Sequence, residues 1–346
     1  MKKALSLILS LAMVFALCAC GTTQDQDTTT PPPASDGETT YDTANLTYSI
    51  NGTSTSIEAQ VANLFKERIE EATNGSITVT IYTDAQLAGG DLSASVEAAQ
   101  SGVMDIYCAD TSVIAALDPT IGVSAIPFAY SGYDEVEAAY DTTGGEYISN
   151  ALKDYNLTYA TYAHNGLQCL TCSKIQLDTP ENFKNIKIRI SGTQLNIDMY
   201  TALGADPSAL NWSETYTALQ NGTYDAQSNS PATIKSGNIQ EVQNYLTVSR
   251  HTYGAFLISF YTPTFESFNE ATQELLMTTL QSAAKEVNEK TASEEETILQ
   301  EFEDASMEVS YLSDEQTAAF KEALADVIDK YKAEYGEAAC EAFNIT

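Results

Sequence analysis

Arginine is rare in this chain, and one arginine stands where it could bind an anion. The sequence has only three arginines against 48 acidic residues, and Arg189 lies in a β-branched run, residues 186–190, that ends at Ser191-Gly192. Alternate side chains of a strand share a face, so the isoleucines of this run can enter a core while Arg189 points the other way. A guanidinium can bind a carboxylate through two parallel hydrogen bonds. Arg189 is therefore a candidate anion-binding residue, and the alternative is a surface cation on an amphipathic strand.

Two cysteines, Cys169 and Cys172, form a C-x-x-C pair of the kind found in redox and zinc sites. The surrounding residues 167–172 resemble a strand, in which residues three apart face opposite ways, and the sequence has no second ligand pair. Its two histidines are His164 and His251. We therefore expect buried or incidental thiols here, no metal site and no cofactor.

The familiar motifs of catalysis are absent from the sequence. It contains no G-x-S-x-G elbow, no glycine-lysine phosphate loop, no H-E-x-x-H and no dinucleotide fingerprint between a strand and a helix. Among 48 acidic residues a chance pair of carboxylates carries almost no information. The sequence favours ligand binding over catalysis, and we expect that the protein is not an enzyme.

Strand and helix patterns alternate along the chain, which predicts an α/β fold with largely parallel sheets covered by helices. Ser56 is a predicted N-cap of a helix with an apolar stripe that stops at Asn74-Gly75, and Ser213 is a predicted N-cap of a later helix. The predicted strands are residues 46–50, 76–82, 103–109, 157–162, 168–173, 186–190 and 224–228, and further predicted helices are residues 91–101 and 193–203.

The C-terminal part predicts one helix of unusual length. Residues 269–303 contain no proline or glycine and are rich in residues that favour helices, so this helix can span two lobes. A strand at residues 307–312 follows. A capping box from Ser313 to Gln316 then begins a helix that reaches Gly336.

Length and charge narrow the class of protein. A chain of 346 residues usually divides into more than one domain. The formal charge of −32 would become −34 without Lys2 and Lys3, which precede the cleavage site proposed below. Such a field repels phosphate backbones, so we expect no nucleic-acid partner. An anionic ligand would need a local positive site.

The N-terminus resembles an export signal. Lys2 and Lys3 precede an apolar stretch, residues 4–17, that is short for a membrane span. The junction Leu17-Cys18-Ala19-Cys20-Gly21 resembles a bacterial lipobox, so we predict a signal peptide at 1–19 and lipid on Cys20; an ordinary signal peptide cut nearby is the alternative. Residues 20–44 would form a flexible tether. We expect lipid anchoring at the extracytoplasmic face of the cell membrane.

The order of local motifs resembles the extracytoplasmic solute receptors of tripartite ATP-independent (TRAP) transporters, of the dicarboxylate- and sialic-acid-binding type. Each piece is weak alone, but their order and spacing are specific. The segments are FKERIEEATNGSITVTIY (65–82), AQSGVMDIYCAD (99–110), IPFAY (126–130), HNG (164–166), ENFKNIKIRISGT (181–193) and LGADPSALNWSETYTALQNGTYDAQSNSP (203–231).

The resemblance implies an α/β, two-lobed fold like that of class II periplasmic binding proteins, with a long lobe-spanning C-terminal helix. The expected lobes are residues 45–170 plus 255–296 and residues 171–254 plus 297–346. They would close on a small organic acid, and the receptor, expected to be a monomer, would deliver it to the TRAP membrane subunits.

The resemblance also implies site residues. Arg189 matches the family's carboxylate-binding arginine. Lys174 stands where sialic-acid-binding relatives carry a second arginine, and the insertion at Gly89-Gly90 blurs whether Asp91 fills a neighbouring position. The other matched positions are Asn51, Asp110, Trp212 and Asn229. Asn51 could instead be a residue of the turn before a helix, and Trp212 could instead be a core residue.

Other functions stay open on the sequence. A receptor for sugars, peptides or nucleosides could serve an ATP-driven importer. A sensory co-receptor would report the ligand to a membrane kinase without transport. An exported hydrolase is the enzyme alternative, against which the missing nucleophile and metal motifs argue.

Overall fold

The computed structural model describes residues 40–346. The predicted signal peptide, Cys20 and the tether up to residue 39 lie outside the described residues. The strands are β1 (Ala44–Ile50), β2 (Ile77–Tyr82), β3 (Ile106–Asp110), β4 (Leu157–Leu167), β5 (Cys169–Cys172), β6 (Lys187–Ile190), β7 (Asp206–Ala209), β8 (Ala226–Asn229), β9 (Tyr245–Val248), β10 (Tyr253–Tyr261) and β11 (Glu308–Tyr311).

Helices surround these strands, and shorter turns of 3-10 helix connect them. The α-helices are α1 (Ile57–Ala72), α2 (Leu92–Gln100), α3 (Thr111–Ile114), α4 (Tyr133–Tyr140), α5 (Thr143–Leu152), α6 (Gln194–Ala202), α7 (Trp212–Gln220), α8 (Pro231–Ser236), α9 (Thr262–Glu266), α10 (Glu270–Asp304), α11 (Asp314–Ala323), α12 (Ala325–Tyr335) and α13 (Glu337–Ala342). In residues 40–346 no helix is both long enough and apolar enough to cross a membrane.

The strands form two mixed sheets. The first sheet has the order β2-β1-β3-β10-β4 and the second has the order β11-β9-β5-β8-β6-β7. Neighbours β1 and β3 are parallel, as are β6 and β8, but β10 runs antiparallel to β3 and β4, and β5 runs antiparallel to β8 and β9. The prediction of largely parallel sheets is therefore wrong for β5 and β10, which run antiparallel to their neighbours. The chain returns from the second sheet to the first through β10, so β10 enters from the opposite end.

Strand β10 was not predicted. Its residues YGAFLISFY are mostly apolar, and all but the last are buried in the centre of the sheet between β3 and β4. A strand buried on both faces lacks the alternation that identifies a half-exposed strand.

Several helix ends follow the local sequence. The side chain of Ser56 accepts a hydrogen bond from the backbone N–H of Ala59, and the capping box of Ser313 and Gln316 is present. The predicted N-cap Ser213 is wrong, since the helix begins at Trp212 after Asn211. The last predicted helix is in fact two, α11 and α12, because the backbone leaves helical geometry at Leu324.

The long helix α10 joins two hydrophobic cores. Its first half contributes Leu276, Leu280 and Val287 to the core that contains β1 and α1. Its second half contributes Leu299 and Phe302 to a core beneath the second sheet. The predicted fold class, α/β with two lobes and a lobe-spanning helix, is confirmed.

The chain passes between the sheets three times: once along α10, which leads from β10 to β11, and twice at two adjacent short connections. Gln168 connects β4 to β5, and residues 249–252 connect β9 to β10. The two crossings are bonded to each other, since the N–H of Gln168 donates to the carbonyl of Thr252 (2.9 Å) and the hydroxyl of Ser249 donates to the carbonyl of Gln168 (3.3 Å). At the C-terminus, the hydroxyl of Thr143 at the start of α5 donates to the carbonyl of Ala342. Helix α13 therefore packs against α5, the helix that precedes β4 of the first sheet.

Candidate functional site

A cavity lies where the ends of parallel strands from both sheets meet. Asn51 follows β1, Asp110 ends β3, Arg189 is next to the last residue of β6, and Asn229 ends β8; all four line the cavity. In open α/β sheets the crevice outside the carboxyl ends of the strands is the usual place for a ligand. The volume of the cavity is about 120 Å³. One water molecule needs roughly 10–15 Å³ by the same measure, so the cavity can hold a small organic molecule.

Arg189 is a buried cation without a carboxylate partner. Arg189 is 5 % exposed, and no carboxylate within residues 40–346 forms an ion pair with its guanidinium. Nε and Nη2 both donate to the carbonyl of Leu210, at 3.0 and 2.7 Å, whereas Nη1 has no partner among the described residues. Burial lowers the pKa of the guanidinium to about 10, and the charge of Asp110 opposes that shift. The group therefore stays positive at neutral pH.

The position of Arg189 follows from its strand. Ile188 and Ile190 enter the core on one face of β6, while Arg189 takes the other face, as the alternation predicts. Trp212 at the start of α7 lies beside it, with the guanidinium carbon 5.6 Å from the ring centroid. The indole packs so closely against Gly237 that a Cβ there would lie 2.5 Å from it. Both side chains line the cavity.

The first-sheet wall of the cavity, formed by Asn51, Glu58 and Asp110, is rich in hydrogen-bond acceptors. Asp110 accepts from the N–H of Ser112 (2.8 Å) and from Nδ2 of Asn165 (2.6 Å). Asn51 is 8 % exposed; its Nδ2 donates to Ser95 and Tyr107, and its Oδ1 is buried without a partner among the described residues.

Glu58 is a cavity residue that the sequence did not single out. It is 2 % exposed, and its Oε1 accepts from the backbone N–H groups of Asn51 (3.2 Å) and Gly52 (3.3 Å). Burial raises the pKa of this carboxyl to about 8, against the effect of those two hydrogen bonds. A signal was present: Glu58 precedes Val61 by three residues and Phe65 by seven, which places it on the buried stripe of α1.

Asn165 bonds to a residue of the first sheet and to a residue of helix α8. Its Nδ2 donates to Asp110 of the first sheet, and its Oδ1 accepts from the hydroxyl of Thr233 on α8 (2.8 Å), which follows β8 of the second. On β8 itself, Nδ2 of Asn229 donates to Oε1 of Gln227 (2.6 Å). The sequence flagged Asn165 only as part of the HNG motif.

Two predicted site residues, Lys174 and Asp91, do not line the cavity. Strand β5 pairs Cys169 with Asn229, so Lys174 lies beyond the other end of that strand, where its exposed Nζ pairs with Asp225 at 2.7 Å. Asp91 caps α2 by accepting from the N–H of Ala94, at 2.8 Å. The structure therefore does not place Lys174 or Asp91 in the cavity, because Lys174 lies at the far end of β5 and Asp91 caps α2.

The four cysteines of residues 40–346 form neither a disulfide nor part of a metal-binding cluster. Cys108, Cys169, Cys172 and Cys340 are free and buried. Cys169 belongs to the core beneath the second sheet and Cys172 to the large core on its other face, as expected for residues three apart in a strand. Within residues 40–346 no cluster of three His, Cys, Asp or Glu side chains could hold a metal ion.

Comparisons with known proteins show the family of the chain. The family model for "bacterial extracellular solute-binding protein, family 7" matches residues 48–334. The 2,3-diketo-L-gulonate-binding periplasmic protein of Escherichia coli is 25 % identical over 267 residues, which are 77 % of this chain and 80 % of that protein.

Solved structures share the fold. A TRAP periplasmic solute-binding protein of Ralstonia eutropha, with bound (S)-2-acetolactate, matches with a TM-score of 0.84 and 21 % identity over 87 % of this chain and 98 % of its own. The sugar-acid-binding protein of Advenella mimigardefordensis, in complex with galactonate, matches with a TM-score of 0.83 and 22 % identity over 88 % and 98 %.

The relatives are solute receptors, and the expectation that the protein is not an enzyme is confirmed with them. The family model spans most of the chain, from within β1 to the last turn of α12. The chain therefore belongs to family 7 of the bacterial extracellular solute-binding proteins, the receptors of TRAP transporters.

Proposed function

We propose that this protein is a lipid-anchored extracytoplasmic receptor that binds a small organic acid in the cavity and delivers it to the membrane subunits of a TRAP transporter. The carrying observation is Arg189: a buried guanidinium that lines the cavity, keeps free N–H groups and has no carboxylate partner in residues 40–346. A buried charge is costly unless it is paired, so a ligand carboxylate is its natural partner. The relatives named above support the class, since diketogulonate, acetolactate and galactonate are all carboxylic acids.

The carboxylate can account for much of the binding. Charge-assisted hydrogen bonds contribute about 1.5–3 kcal/mol each, and micromolar affinity corresponds to roughly 8 kcal/mol. Nε and one hydrogen of Nη2 bond to the carbonyl of Leu210. Nη1 and the other hydrogen of Nη2 remain available to donate to a ligand carboxylate. These two bonds also fix the orientation of the guanidinium before a ligand arrives, which reduces the entropy lost on binding.

Closure of two lobes is part of the proposal. The cavity has walls from both sheets, so a bound acid would stabilise the arrangement in which they meet. We propose the bonded crossings at Gln168 and residues 249–252 as the hinge. We retain the predicted lobes except at the C-terminus, where the contacts of α13 with α5 favour grouping residues 337–346 with the first lobe.

Arg189→Ala tests the proposal. We expect thermal shift and calorimetry to find at least one C4 to C6 organic acid that stabilises the wild-type protein, and we expect Arg189→Ala to weaken its binding by about 100-fold or more. Arg189→Lys should lose about tenfold, because lysine keeps the charge but not the fork.

The control is Arg68→Ala, which removes the same side chain from the surface of α1, where it pairs with Glu286. Its binding should match the wild type. Undiminished binding in Arg189→Ala, or failure of every acid to stabilise the wild type, would contradict the proposal.

A further inference from the structure

The cavity offers one cation and a separate wall of acceptors. Arg189 is the one Lys, Arg or His side chain among the described residues that line it. The first-sheet wall instead carries the carboxyl groups of Glu58 and Asp110 and the amide oxygen of Asn51. A second carboxylate on a ligand would find no cation there and would face the charge of Asp110.

Two polar atoms of this wall indicate what a ligand must supply. Oδ1 of Asn51 and the hydroxyl of Ser112 are buried and have no hydrogen-bond partner within residues 40–346. Both residues line the cavity. Unpaired buried polar atoms are costly, and a hydroxyl group can donate to Asn51 and also accept from Ser112. A carboxylate is an acceptor only and cannot satisfy Asn51.

Glu58 holds the wall in place. Its Oε1 binds the N–H groups of Asn51 and Gly52, which fixes the turn that presents the Asn51 side chain. The carboxyl lies so close to Gly52 that a Cβ at that position would collide with it. No lysine or arginine of the described residues pairs with Glu58. The turn and the carboxyl therefore form one rigid unit without positive charge.

We propose that Glu58 is a positioning residue for a wall in which Asn51 and Asp110 make the cavity select a monocarboxylate that carries hydroxyl groups over a dicarboxylate. This inference rests on the proposed function, in which Arg189 binds the carboxylate. The hydroxyl groups of the acid then donate to Asn51 and Asp110 across the cavity.

The surroundings of Glu58 link selection to pH. The titratable groups that face it are Tyr48 on β1 and Tyr107, Cys108 and Asp110 on β3, and none of these side chains can carry a positive charge. Burial raises the pKa of Glu58 to about 8, so the carboxyl is mostly neutral at pH 7 and ionises above pH 8. Ionisation adds a negative charge to the cavity, and binding of an anion weakens.

Four acids of equal carbon number test the selectivity of the mature protein by calorimetry at pH 7: D-erythronate, succinate, butyrate and 4-aminobutyrate. We expect erythronate to bind at least about tenfold more tightly than each of the others, because it alone offers one carboxylate and several hydroxyl groups. Succinate binding as tightly as erythronate would overturn the inference. Preference for 4-aminobutyrate would also overturn it, since the wall would then select an ammonium group.

Variants test the wall itself. Asp110→Asn keeps a side chain that can cap α3 and should reduce the preference for erythronate over succinate by about tenfold. Wild-type affinity for erythronate should fall roughly fivefold or more between pH 7 and 9, and Glu58→Gln, of nearly the same shape, should lose this pH dependence. A Glu58→Gln protein that keeps the wild-type pH profile would count against a role in binding. Circular dichroism checks that each variant is folded.

Failure of the selectivity is separable from failure of the proposed function. If succinate binds more tightly than erythronate and its binding depends on Arg189, the proposed carboxylate receptor is supported and the proposed selectivity is contradicted. If no acid binding depends on Arg189, the proposed function falls first. Lys174→Ala serves as the control for both, since Lys174 lies outside the cavity beside Asp225.

Discussion

Arg189 and Glu58 are ionisable groups that the fold buries in different walls of one cavity, with opposite results. Arginine has so high a pKa that burial leaves it charged, and two hydrogen bonds to Leu210 compensate part of the cost. A carboxyl has no such margin, and burial without a cation moves the pKa of Glu58 to about 8. One group is therefore a fixed charge and the other can change its charge near physiological pH.

The shifted pKa of Glu58 predicts a pH-dependent stability. The folded protein keeps the proton of Glu58 up to about pH 8, whereas the unfolded chain releases it near the ordinary value of 4.5. Protonation in the folded state stabilises most below pH 4.5, and this contribution is lost as the pH rises to 8, with no further change above. Glu58→Gln should lack this slope, which urea unfolding at pH 5, 7 and 9 measures.

Glu67→Gln, on the exposed face of the same helix, is the matched control and should reproduce the wild-type slope. Because other carboxyl groups titrate in the same range, the informative quantity is the difference between variant and wild type at each pH. Parallel curves for Glu58→Gln and the wild type would show that Glu58 ionises alike in the folded and unfolded states.

At the scale of elements, strand ends assemble the site and one helix supports it. The carboxyl ends of four strands meet between the sheets, and Asn51, Asp110, Arg189 and Asn229 lie at or within one residue of those ends. Helix α10 passes beneath both sheets and contributes side chains to two cores. The relative position of the two walls therefore depends on packing along α10 as well as on the crossings.

Leu280 measures what α10 contributes to the first core. It is fully buried among residues of β1 and α1. Leu280→Ala should lower the free energy of unfolding by about 2–5 kcal/mol, because the lost methyl groups leave a cavity. Leu275→Ala on the same helix removes the same atoms from a half-buried position and should cost clearly less. Equal losses in urea unfolding would mean that α10 does not hold this core.

For the whole molecule, the charge makes the local character of the site important. A chain with a formal charge of −32 repels small anions at long range. Salt screens exposed charges beyond about 10 Å at 0.1 M, whereas a buried guanidinium is screened much less. Attraction of an acid therefore has to arise within the cavity, where Arg189 is isolated from the acidic surface.

The proposed lipid anchor also concerns the whole molecule, and Cys20 lies outside the described residues. If Cys20 is lipidated, cells fed labelled palmitate will label the wild-type protein, which will sediment with membranes. Cys20→Ala should lose both the label and the sedimentation. Cys18→Ala, which changes a cysteine two residues away, should keep both. Label on the Cys20→Ala protein would contradict the lipobox.

Local sequence alone determined much of this protein. Short-range patterns predict the order of most strands and helices, the N-cap at Ser56, the capping box at Ser313 and the length of α10. They do so because caps, helix breakers and hydrophobic periodicity act within a few residues. Strand alternation in the same way predicted that Arg189 lies on the face opposite Ile188 and Ile190, whereas its burial comes from the tertiary structure. The family was recognisable because several such motifs keep their order.

Tertiary structure decided the rest. Strand β10, the antiparallel pairings and the break at Leu324 depend on what packs around them, and a fully buried strand carries no alternation to reveal it. Whether Lys174 or Glu58 reaches the cavity depends on which end of a strand meets the other sheet and on the depth of α1. Those are distances between residues far apart in sequence, and only the packed structure fixes them.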